Sequence, residues 1–75
     1  MSISDIMVHV NESLSAETRH ALEEEMREMD GVISPRFSPN EDHLMEIAYN
    51  PDTVNAIDLL HKVESHGYHA QLVGM

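Results

Sequence analysis

Seventy-five residues bound the chain to one domain, 1–75, because so short a chain buries only about 60% of its unfolded surface and cannot divide that core. Fourteen Asp and Glu against four Lys and Arg give a net charge of -10, which disfavours phosphate backbones and anionic lipid and leaves cationic protein surfaces and metal ions as partners. With no Cys there is neither a disulfide framework nor a thiolate metal site, and the opening Met1-Ser2-Ile3-Ser4-Asp5 has neither the basic nor the apolar run of a leader, so a cytoplasmic protein without a membrane span is expected.

Residues 3–10 alternate, with Ile6, Val8 and Val10 on one side and Met7 and His9 on the other, the period of a strand half covered by core. Asn11 to Thr18 follows as a loop into a helix N-terminus, a place where free backbone N-H groups often meet a ligand. Ser15 suits the N-cap, and Leu22, Met26 and Met29 then recur at i, i+4 and i+7, predicting one buried stripe on a helix that runs to Met29 and is closed by Asp30-Gly31. Val32 to Ser38 reads as a strand whose Pro35 assigns it to an edge. Pro39 to Asp42 is a polar turn, and His43 to Tyr49 alternates again with Met45, Ile47 and Tyr49 on one side. Asn55 and Asp58 predict a capped helix to about His66, with Ala56, Leu59 or Leu60, and Val63 inward. Gly67 stops it, and Tyr68 to Val73 is the last strand, with Ala70 and Leu72 inward.

Strand, helix, strand, strand, helix, strand is the ferredoxin-like α+β arrangement, expected as an antiparallel sheet in the order 4-1-3-2 with both helices on one face and the other face open. Three segments carry a closer likeness: Asp30-Gly31-Val32 after the first helix, Tyr49-Asn50-Pro51 leading to Leu59-Leu60, and Gly67-Tyr68-His69-Ala70. In these the chain resembles the heavy-metal-associated (HMA) domains of copper chaperones and heavy-metal pumps. That resemblance implies a soft-metal loop of the form Gly-Met-Thr-Cys-x-x-Cys after the first strand. Its two Cys positions fall here on Ser15 and Thr18, with Glu12, Ser13 and Leu14 in place of Gly, Met and Thr. Hydroxyls are hard, weakly basic donors and Cu(I) selects thiolate or thioether, so Cu(I) binding by this route is not expected.

Six His remain as potential ligands. Strand parity places Met7 and His9, Glu46, and His69 and Gln71 on the open face of the first, third and fourth strands. His9, His69 and Glu46 are therefore the expected ligand set for a borderline metal such as Zn(II) or Fe(II), if the register brings them together; otherwise they are solvated surface groups. His66 and His69 are separated by a helix stop, His20 and His61 lie among charged helix neighbours, and His43 stands in the hairpin turn beside Glu41 and Asp42.

Two functions follow as expectations. One is a small non-catalytic protein in a metal-handling context, its thiolate site lost, whose remaining role is weak binding of a borderline metal through His and Glu or docking to a protein partner. The other is an interaction or homodimerisation module using the open face, where Met7, Leu44, Ala48 and Val73 flank His9 and His69, with association sensitive to pH near about 6 to 7. Catalysis is not expected, since a two-layer fold of this size offers little concavity and Ser15 with His9 lacks an orienting third group.

Overall fold

The computed structural model describes residues 2–73. Its elements are β1 (Ser4–Val10), α1 (Ala16–Arg27), β2 (Val32–Ser38), β3 (Glu41–Tyr49), α2 (Ala56–Glu64) and β4 (Ala70–Val73). The strands form one sheet in the order β2-β3-β1-β4, the expected 4-1-3-2 seen from the other edge, and every pair is antiparallel.

Alternation built the core. Ile6, Val8 and Val10 of β1 lie beside Phe37 of β2 and Met45, Ile47 and Tyr49 of β3, and all are buried. Leu22 and Met26 of α1 and Leu59 and Val63 of α2 close over them in a single cluster. Leu59 is the helix residue that goes fully under, while Leu60 packs at the margin. Pro35, on the edge strand, is also fully buried, opposite Ile47. A ring needs no backbone donor on an edge, so its apolar surface goes to the core at no cost in ladder bonds.

Caps set the helix ends. The Ser15 hydroxyl accepts from the Thr18 N-H at 3.1 Å, and Asn55 and Asp58 form a reciprocal capping box at the start of α2. Four boundaries differ from the sequence reading. Helix α1 stops at Arg27 rather than Met29, because Glu28 and Met29 bond three residues back, to Glu25 and Met26, in a tightened last turn. Helix α2 stops at Glu64 rather than His66, since Ser65 caps it and Ser65 to Gly67 form a turn. The hairpin turn is only Pro39-Asn40, so β3 begins at Glu41 and not at His43. Strand β4 begins at Ala70 rather than Tyr68, because the His69 N-H is taken by the Glu12 carboxylate instead of the ladder.

The β2 edge is partly guarded. The Glu23 carboxylate on α1 accepts the Phe37 N-H at 2.7 Å, which removes one of the outward donors that an added strand would need.

Candidate functional site

The end of the sheet where β1 passes into α1 gathers most of the polar side chains that sequence reading singled out. Beyond Val10 the chain stays tied to β4, with the Asn11 N-H donating to the His69 carbonyl at 2.8 Å. Glu12 then closes the loop, its carboxylate accepting the His69 N-H at 2.9 Å and the ring Nδ1-H at 2.7 Å. These two bonds, the ring bond first, hold the Glu12 carboxyl below its ordinary value of 4.5. At the helix start the Ser15 hydroxyl donates to Thr18 Oγ1 at 2.9 Å while it accepts from the Thr18 N-H. Arg19 fastens the same loop, donating to the Leu14 carbonyl at 2.7 Å with Asp42 3.8 Å away.

A carboxyl whose native value is lowered adds stability while it is ionised, and that stability is lost as pH falls through the lowered value. The contact between Glu12 and His69 should therefore be intact above about pH 4.5 and open in stronger acid. Glu12→Gln is expected to lower the urea midpoint slightly at neutral pH, with the difference from the natural chain shrinking as pH falls below 4.5. A difference constant with pH would show that the carboxylate charge contributes nothing.

The register separates the expected ligand set. Glu46 lies opposite Met7, whereas His9 lies opposite Leu44 on β3 and Gln71 on β4. His69 sits beyond the end of β4 and turns to Glu12. His9, His69 and Glu46 are thus offset along the sheet and are not brought together. Among the described residues, no group of three or more His, Asp or Glu side chains is placed to hold a metal ion.

His9 meets a different imidazole. The His43 ring stacks on it with centroids 5.6 Å apart and planes 15° from parallel. The pairing of β2 with β3 slips between Phe37 and Ser38, so that Met45 faces Phe37 while Glu41 faces Ser38. That irregularity carries His43 out of the simple alternation, and its Nδ1 donates to the Val10 carbonyl at 2.7 Å. Sequence reading set His43 beside Glu41 and Asp42 in the hairpin, as a plain turn with a loose cation site as the alternative, and did not pair it with His9. A bulge inside a polar stretch leaves no mark in hydrophobic periodicity.

The open face is centred on Met7, 39% exposed, with shallow depressions of about 160 Å³ on either side. Phe37, Pro39 and Leu44 contribute to one, Asp5 and Ile6 to the other, and Glu46 borders both. No helix among the described residues is long and apolar enough to cross a membrane.

The chain has the fold of the heavy-metal-associated domains. It is similar to the N-terminal domain of a potential copper-translocating P-type ATPase from Bacillus subtilis in the Cu(I)-loaded state, with a TM-score of 0.85 and 19% identity over 97% of this chain and 90% of that one. It is similar also to oxidised MerP from Ralstonia metallidurans CH34, with a TM-score of 0.84 and 8% identity over 97% and 100% of the chains. The CopZ metallochaperone aligns with a TM-score of 0.80 and 19% identity over 91% and 100%. No protein-family model matches the sequence, and no curated protein matches it.

Proposed function

We propose that this protein is a non-catalytic, thiol-free module of heavy-metal-associated fold that works through a protein partner in a metal-handling setting and carries no Cu(I) in its β1–α1 loop. One observation carries the reading: at the two positions where the family resemblance places thiolates, Ser15 and Thr18 direct their hydroxyls to each other and to the helix start. Those oxygens are hard donors already engaged in a cap. The setting is supported by the fold's neighbours, a domain of a copper-translocating ATPase and a metallochaperone among them.

The open sheet face supports the partner-binding half of the reading. Met7 stands between two depressions, where an apolar side chain from a partner finds apolar cover. A net charge of -10 makes two copies repel, so a cationic protein surface suits this face better than a homodimer. The non-catalytic half rests on the Ser15 hydroxyl being bonded to Thr18 rather than to a base, and on the shallowness of the depressions. A fold without disulfides needs no oxidising compartment, which suits the cytoplasm.

Anaerobic competition against a Cu(I) chelator tests the reading. The natural chain should leave the metal on the chelator; transfer of one Cu(I) per chain would overturn it.

A further inference from the structure

We propose that His9 and His43 form a binding site for one borderline divalent metal ion, with Zn(II) the reference case, through their two Nε2 atoms. The proposal goes beyond the functional reading above and stands apart from it, since Zn(II) at two imidazoles requires no thiolate and no protein partner.

Three observations converge on the pair. The rings already lie against each other, 5.6 Å between centroids, at the end of the sheet. Each ring also has its Nδ1 occupied by an oxygen acceptor, the Val10 carbonyl at 2.7 Å for His43 and the Asn11 side-chain carbonyl at 3.2 Å for His9. A carbonyl only accepts, so Nδ1 carries the proton in both neutral rings and Nε2 keeps its lone pair. A ring held by Nδ1-H to oxygen, with Nε2 bare, is the arrangement that metal-ligating histidines use to fix tautomer and orientation. Finally, a chain of net charge -10 raises the local concentration of cations over its surface.

Chemistry limits the ligand. Two neutral imidazoles suit Zn(II), Cu(II) or Ni(II) and are poor donors for Mg(II) or Ca(II). For both Nε2 atoms to reach one ion at about 2.0–2.1 Å the stacked rings must turn toward each other. His43 is anchored by its short backbone bond, so His9, held by the longer bond to Asn11, makes most of that turn. The described residues place no third His, Asp or Glu with the pair, which leaves the remaining coordination positions to water. His69, engaged by Glu12, stays outside the set.

Calorimetric titration of the full chain with Zn(II) alone, in a non-coordinating buffer at about pH 7.5, tests the assignment. The natural chain is expected to bind one ion, with His9→Gln and His43→Gln each weakening binding by about 10- to 100-fold. Asn11→Ala, which removes only the orienting acceptor, should weaken it less, and His61→Gln and His69→Gln should leave it unchanged. Circular dichroism of each variant reports folding; if His43→Gln does not fold, His9→Gln decides. The proposal is overturned by failure of the natural chain to bind, by unchanged affinity in His9→Gln, or by an equal loss in His61→Gln or His69→Gln. None of these outcomes bears on whether Cu(I) is excluded from the Ser15 loop.

Discussion

Gly31→Ala is expected to destabilise the protein by on the order of 3 kcal/mol, through backbone strain and a steric clash acting together. Gly31 has φ of +95°, a conformation that costs an L-residue about 1–2 kcal/mol. A Cβ there would also stand 2.8 Å from Val54 Cγ1 and 3.0 Å from Thr53 Cβ. Neither neighbour can easily yield. Val54 is buried in the core cluster, and the segment that carries both is pinned where the Asn50 N-H donates to the Gly31 carbonyl at 2.7 Å. Gly67 provides the control, with φ of +89° and nothing within 4 Å of the added carbon. Gly67→Ala should therefore lose only the conformational part, about 1–2 kcal/mol. Urea denaturation of the two variants separates strain from clash, and equal losses would mean that the approach of Thr53 and Val54 to Gly31 contributes nothing.

The second large effect belongs to Ile47, fully buried on β3 opposite Ile6 on one side and Pro35 on the other. Ile47→Ala should cost about 2–5 kcal/mol, the sum of lost transfer energy and the cavity left behind. A chain of 75 residues has a total stability of only about 4–11 kcal/mol, so this one truncation is expected to unfold a large fraction of the protein on modest heating. Ile57 is an isosteric control on α2, half exposed at 50%, and Ile57→Ala should change stability by no more than about 0.5 kcal/mol. Similar thermal midpoints for the two variants would contradict the core described for this sheet.

The inward place of Ile47 was readable in the sequence, since a period of two placed Met45, Ile47 and Tyr49 inward and a period near 3.6 placed Leu22 and Met26, with Leu59 or Leu60, and Val63, against them. The caps were readable as well, because Ser15 and the pair Asn55 and Asp58 satisfy helix N-H groups through local chemistry that needs no tertiary knowledge. Strand parity likewise assigned Met7, His9 and Glu46 to the open face.

What escaped was decided by contacts distant in sequence. Glu41 and Asp42 look like turn residues, yet the two-residue turn at Pro39-Asn40 draws them into β3. The register slip that follows sets His43 against His9, and no residue type announces it. His69 was assigned to a strand by alternation, but a carboxylate 57 positions away, on Glu12, claims its N-H and its ring. Periodicity fixes which face a side chain takes. Register and side-chain capture determine which neighbours it meets there, and a ligand set depends on the latter.

Ser15 and Thr18 stand where the family resemblance places thiolates, and restoring thiolates there tests the proposed reading by separating scaffold from ligand. Anaerobic Cu(I) competition should show the variant carrying Ser15→Cys and Thr18→Cys taking one Cu(I) per chain from the chelator while the natural chain takes none. The opposite result, with the natural chain holding Cu(I) as tightly as the double variant, would contradict a thiol-free module excluded from Cu(I) transport.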